Sequence, residues 1–214
     1  MPLQEIRKLS SGSCLGIWHI TEAAADLQAL APELAQQADF DLLKTEKRQK
    51  EWLASRLLVH RLQQEFLNTP LPVQKNAFGK PVLPHPALQL SLSHSGDLAA
   101  AILADNSEVG IDIELVSAKV KVLSGKFLSE TEMADAAGDE TKTCVYWSAK
   151  ETLYKLYGRK KLLFIENLPF QPFELQEKGQ LIGQVNVSDA GAHYVVYYEK
   201  IKNYILTYCA GEKI

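Results

Sequence analysis

Two stretches constrain this chain more than any others: Val109-Gly110-Ile111-Asp112-Ile113-Glu114 and, further on, Trp147-Ser148-Ala149-Lys150-Glu151-Thr152-Leu153-Tyr154-Lys155. The first opens at a glycine and alternates apolar with acidic residues, the period of a strand. Side chains two apart on a strand share a face, with Cα atoms roughly 6–7 Å apart. Asp112 and Glu114 therefore point one way, and Ile111 and Ile113 the other. The second stretch reads as a helix in which Glu151 and Lys155, four apart, are neighbours on one face. A helix packed across that strand would bring three carboxylates and a lysine together, a set that suits a divalent cation with an anion bound to it. Taken singly, the strand also reads as a half-solvated edge and the helix as a solvated face carrying a weak ion pair.

The 214 residues suffice for one large domain or two small ones, and 46% hydrophobic residues provide a normal core. A formal net charge of -3 argues against a nucleic-acid binder that depends on neutralising phosphates. An anion site here has to be a local basic cluster. The cysteines Cys14, Cys144 and Cys209 are odd in number and too scattered for a zinc site or a disulfide framework. That usage fits a reducing cytosol. With no apolar leader and no run of membrane-spanning length, the expectation is a cytoplasmic protein with no membrane contact.

In chain order, residues 14–20 are apolar and partly β-branched, which predicts a strand. Residues 23–37 predict a helix, and residues 44–68 a longer one with the stripe Ala54, Leu58, Leu62 and Phe66. Arg56 and His60 fall off that stripe. After the turn Asn76-Ala77-Phe78-Gly79-Lys80-Pro81, strands are expected at 89–93 and 98–104, around a hairpin at His94-Ser95-Gly96-Asp97. The order then repeats: a strand at 109–115, helices at 122–137 and 143–157, and strands near 173–176, 181–187, 193–198 and 204–209. The expected fold is α+β, with two similar halves (1–108 and 109–214), each an antiparallel sheet with two packed helices. The active-site cleft lies between them.

Beside the carboxylates Asp112, Glu114 and Glu151, three other groups carry chemistry. Ser93 and His94, at a strand end, can donate hydrogen bonds to an anion, and the elbow motif of serine hydrolases is missing. Lys80 is presented by a turn that Gly79 permits and Pro81 stiffens, and Arg56 offers a fork suited to phosphate. Each also has a plain structural reading: a salt-bridge network, a turn histidine, an exposed turn lysine, a solvated arginine.

Together these segments resemble the 4′-phosphopantetheinyl transferase superfamily, in its larger, pseudo-dimeric form. The matching residues are Ala54-Ser55-Arg56-Leu57-Leu58, Phe78-Gly79-Lys80-Pro81, Leu92-Ser93-His94-Ser95-Gly96, the Val109–Glu114 stretch, Phe127-Leu128-Ser129 with Glu132, and Trp147 through Lys155. The likeness runs from about residue 44 to 158, with no departure at the acidic or lysine positions.

The resemblance implies an enzyme that moves the 4′-phosphopantetheine arm of coenzyme A to a serine of an apo acyl or peptidyl carrier protein and releases 3′,5′-ADP. Mg²⁺, or Mn²⁺, would be held by Asp112, Glu114 and Glu151. Arg56, Lys80, Ser93 and His94 would lie on the adenosine and 3′-phosphate side, with Lys150 and Lys155 on the pyrophosphate. Glu151 would act as general base and Lys155 would steady the leaving oxygen. The carrier could serve fatty-acid, polyketide or peptide synthesis. One chain supplies both cleft walls, which implies a monomer. The alternative is a non-catalytic protein that binds coenzyme A or a carrier domain.

Overall fold

A computed structural model of the chain describes residues 3–9, 12–159, 161–187, 191–211 and 213. The first half runs β1 (Leu3–Leu9), β2 (Ser13–His19), α1 (Ala24–Leu30), α2 (Ala38–Asp41), α3 (Glu46–Gln63), a short β3–β4 pair (Gln74–Lys75 and Pro81–Val82), β5 (Leu88–Ser95) and β6 (Leu98–Asp105). Its four-stranded antiparallel sheet has the order β1-β2-β6-β5. The second half runs β7 (Gly110–Leu115), α4 (Ala118–Val122), α5 (Glu130–Ala136), α6 (Glu140–Tyr157), α7 (Phe164–Asn167), β8 (Lys178–Val185), β9 (Ala192–Ile201) and β10 (Tyr204–Cys209). Its antiparallel sheet has the order β7-β10-β9-β8. The expected α+β architecture of two sheet-and-helix halves is what the chain adopts.

The layers follow from strand periodicity. On β6, Ala99, Ala101 and Leu103 face α3, together with Leu58 and Leu62. The intervening Ala100, Ile102 and Ala104 face the other sheet, where Val109, Ile111, Ile113 and Leu206 meet them. A strand covered on both faces needs no polar alternation, which explains the nearly unbroken apolar run from Leu98 to Ala104. Behind the second sheet, α6 packs Val145, Ala149 and Leu153 against Val196, Ile205 and Cys209. The molecule is thus helix, sheet, sheet, helix.

Several elements differ from the sequence expectation. β1 escaped it, because Glu5, Arg7 and Lys8 break the apolar pattern of what is an edge strand. Residues 23–37 hold α1 and a separate short turn at Leu34–Gln36 rather than one helix. Residues 122–137 are divided by a turn at Ser124–Lys126. The real start of α5 is a capping box, with Ser129 and Glu132 bonding each other's backbone N–H. No strand forms at 173–176.

Candidate active site

Glycine sets the depth of the site. At Gly110, a Cβ would run into the carbonyl of Thr152, so only glycine lets α6 lie this close across β7. The crossing is pinned from behind by hydroxyls: Thr207 Oγ1 of β10 is 2.9 Å from Ser148 Oγ and 2.7 Å from Thr152 Oγ1. Thr207 pairs with Asp112 across the sheet, so these bonds fix which turn of α6 stands over the acids.

β5 meets β7 through side chains. Ser91, Ser93 and Ser95 alternate along β5 and share a face. Ser91 Oγ accepts from Ile111 N at 3.1 Å, and Ser93 Oγ donates to Asp112 Oδ1 at 2.8 Å. Ser95 Oγ accepts from Leu115 N and donates to Glu114 Oε2, both at 3.2 Å. The two halves are therefore stitched together beside the acids. Only Ser93 was singled out from sequence, although three serines at alternate positions were the signal for all of them.

Lys155 completes the cluster. Its ammonium lies 2.6 Å from Asp112 Oδ1 and 2.9 Å from Ser93 Oγ. The other Asp112 oxygen, Oδ2, is buried with no hydrogen-bond partner. Glu114 Oε1 accepts from the Trp147 indole at 3.0 Å. Burial, then the charges of Asp112 and Glu114 with Lys155 opposing, push Glu151 up to about 7. Burial and the charge of Asp112 also raise Glu114, and the bonds from Trp147 and Ser95 oppose this. Among the described residues, no group of three or more His, Cys, Asp or Glu stands close enough to hold a metal ion as it is. The donor set nevertheless fits a hard divalent cation. The orphaned carboxylate oxygen gains from one, and so do the two acids whose charged forms are disfavoured by burial and by neighbouring negative charge.

Pockets flank the acids on either side. One of about 210 Å³ is lined by Phe78, Lys80, Leu92, Tyr154, Lys155 and Arg159. Lys80 spans the halves: Asn76 Oδ1 accepts from its backbone N, Gly79 turns at φ 81°, and its Nζ donates to Leu156 O at 3.2 Å. A second pocket, about 450 Å³ and mostly apolar, is lined by Glu114, Val120, Leu123, Phe127, Trp147 and Phe164.

Other expected residues stand elsewhere. Arg56 lies 4.1 Å over the Trp52 ring, with its Nε buried and unpartnered, and lines a separate pocket of about 170 Å³ with His60 and Gln63. His94 is half exposed, with Nδ1 3.5 Å from Glu51 Oε2, and burial favours its neutral form. Lys150 corrects the expectation that it meets a pyrophosphate. Its side chain is 0% exposed, and its ammonium pairs with Glu132 Oε1 (2.9 Å) and donates hydrogen bonds to Phe164 O (3.0 Å) and Leu168 O (2.7 Å). An ammonium has three protons, so none remains for a ligand. A helix turns about 100° per residue, which sends Lys150 off the face that Glu151 and Lys155 share.

Comparison with known proteins identifies the family. A profile described as the 4'-phosphopantetheinyl transferase N-terminal domain matches residues 43–104, and one described as the 4'-phosphopantetheinyl transferase superfamily matches residues 108–209. The chain belongs to the 4′-phosphopantetheinyl transferase superfamily. Within that superfamily, the 4'-phosphopantetheinyl transferase AcpT of Escherichia coli (strain K12) is 36% identical over 121 residues, 52% of this chain and 59% of that protein. The L-aminoadipate-semialdehyde dehydrogenase-phosphopantetheinyl transferase of Mus musculus is 31% identical over 131 residues, 51% of this chain and 42% of that protein. The matched region thus spans about half the length of these relatives. No helix among the described residues is long and apolar enough to cross a membrane.

Proposed function

We propose that the chain transfers the 4′-phosphopantetheine arm of coenzyme A to a serine of an apo carrier protein. One observation carries this reading furthest: Asp112 has one oxygen bound by Lys155 and Ser93 while the other is buried without a partner, beside Glu114 and Glu151. Asp112, Glu114 and Glu151 would hold Mg²⁺ or Mn²⁺. The ion, when bound, supplies positive charge to the diphosphate and its leaving oxygen.

The chain's own residues do the rest. The basic pocket of Lys80, Lys155 and Arg159 suits the 3′-phosphorylated nucleotide end, and the apolar pocket beside Trp147 suits the uncharged arm. Ser93, His94 and Arg56 remain candidates on the nucleotide side. The incoming serine hydroxyl gives its proton to Glu151, directly or through a water, while its oxygen bonds the β-phosphorus. The bond from that phosphorus to the bridging oxygen breaks, and 3′,5′-ADP departs with the electron pair. Lys155 steadies the charge that grows on that oxygen. Glu151 suits the proton transfer because a carboxylate beside the bound ion can reach the incoming hydroxyl. Phosphoryl transfer of this kind is positioning plus charge stabilisation.

The carrier could belong to fatty-acid, polyketide or peptide synthesis, and a monomeric, cytoplasmic enzyme is part of the proposal. The test is incubation with coenzyme A, Mg²⁺ and an apo carrier protein, read by intact mass. A carrier that gains the phosphopantetheine arm, only when both coenzyme A and the metal are present, supports the reading. An unchanged carrier across carriers of all three kinds, with coenzyme A still bound, would favour a non-catalytic binder.

A further inference from the structure

Phe164 lies between two rings of α6. Its centroid is 5.4 Å from Trp147 and 5.6 Å from Tyr154, with interplanar angles of 15° and 16°. Trp147 and Tyr154 are seven residues apart, which separates them by roughly 10.5 Å along a helix rising 1.5 Å per residue. A third ring midway turns them into one continuous stack. The helical wheel puts Lys150 on one flank of this row and Glu151 on the other.

Phe164 belongs to α7, a single turn too short to hold itself in place. The two carbonyls that bracket this turn, Phe164 O and Leu168 O, are those that accept from Lys150 Nζ. Glu132 anchors the same ammonium at 2.9 Å and also accepts from Phe170 N at 2.9 Å. At the far end of the stack, Trp147 packs at a tilt on Phe127, centroids 4.9 Å apart, and donates its indole proton to Glu114 Oε1.

We propose that Lys150 is a positioning residue: by clamping both ends of α7 it seats Phe164 between Trp147 and Tyr154, and so holds the Trp147 indole on Glu114. The structural half of this inference stands alone. Its consequence for metal binding rests on the function proposed above, because Glu114 matters to a cation only if the acids receive one. Groups that orient a metal-binding carboxylate from behind change metal affinity about 10–100-fold when removed.

The test uses the full chain and two readouts besides turnover: the indole N–H resonance of Trp147, identified with Trp147→Phe, and calorimetric binding of Mn²⁺ in the presence of coenzyme A. Phe164→Ala is expected to move the Trp147 resonance and to weaken Mn²⁺ about tenfold, and Phe164→Tyr to restore both. Lys150→Met is made together with Glu132→Gln, so that no unpaired charge is left buried, and is expected to move the same resonance as Phe164→Ala. A parental Trp147 resonance in either the alanine variant or the paired variant overturns the clamp, and unchanged Mn²⁺ affinity in Phe164→Ala overturns its consequence. Should the parent itself take up no Mn²⁺, the proposed function fails, and the resonance alone still decides the clamp.

Discussion

The ammonium of Lys155 sits 2.6 Å from Asp112 Oδ1, one helical turn beyond Glu151. It is the positive partner of an Asp112 that is almost fully buried. On the proposed mechanism the same group steadies the leaving oxygen. Lys155→Ala is therefore expected to lower single-turnover transfer about 10²–10³-fold, the usual effect of removing one group that stabilises transition-state charge. It should also lower the melting temperature, because Asp112 keeps only Ser93. More than a tenth of parental transfer in a folded Lys155→Ala protein would remove Lys155 from the chemistry.

A pH dependence follows from Glu151, whose carboxyl is raised from 4.5 to about 7 by burial and then by Asp112. A carboxyl that holds its proton more tightly when folded contributes stability fully present below its unfolded value, roughly 4.3. That contribution is lost as pH rises through about 7. His94 works in the opposite sense, because burial lowers it, so the effect is best read as a difference between proteins. The stability of metal-free Glu151→Gln relative to the parent should grow as pH rises from about 4 to 8, by at most a few kcal/mol at about 1.4 kcal/mol per unit. Adding Mg²⁺ and coenzyme A at pH 8 should stabilise the parent and leave the variant behind. Parallel melting curves from pH 5 to 8 would contradict the raised carboxyl.

The acids and Lys155 were legible because they obey local periods: two residues on a strand and four on a helix. Lys150 was misread although it stands next to Glu151, because adjacency in a helix separates faces and the sequence does not display Glu132 and two carbonyls waiting inside. Glu51 was missed for a related reason. It lies on the helix predicted at 44–68 but is buried, and its meeting with His94 joins residues 43 positions apart. β1 failed as a prediction because an edge strand needs only one neighbour and tolerates Glu5 and Arg7. Arg7 instead pairs with Glu199 of the other sheet at 2.9 Å, a partner no local pattern reveals.

Gly110 offers a sharp test of the crossing between α6 and β7. Gly110→Ala would place a methyl group against the Thr152 carbonyl, a backbone atom held by a helix and unable to yield cheaply. The expected loss is about 1–3 kcal/mol from overpacking. Transfer should fall by more than the folded fraction accounts for, since lifting α6 carries Glu151 and Lys155 away from Asp112. The check is a denaturation midpoint combined with transfer rate per folded molecule. A destabilised variant with parental rate per folded molecule would show that the acids do not need this crossing.

The pair formed by Lys150 and Glu132 is buried on both sides, with side chains 0% and 1% exposed. Removing one partner of such a pair strands a charge in a medium that solvates it poorly, and costs about 3–5 kcal/mol. Lys150→Met is thus expected to lose stability on that scale. Adding Glu132→Gln should recover much of it, because the neutral amide can still accept from Phe170 N and leaves no orphan carboxylate. Urea midpoints of the single and double variants measure the difference. If the double variant were no more stable than Lys150→Met alone, the cost would lie in the two α7 carbonyls that Lys150 satisfies rather than in the stranded charge. In either case the loss appears in the stability of the free protein, which a lysine facing a ligand in an open cleft would leave nearly unchanged.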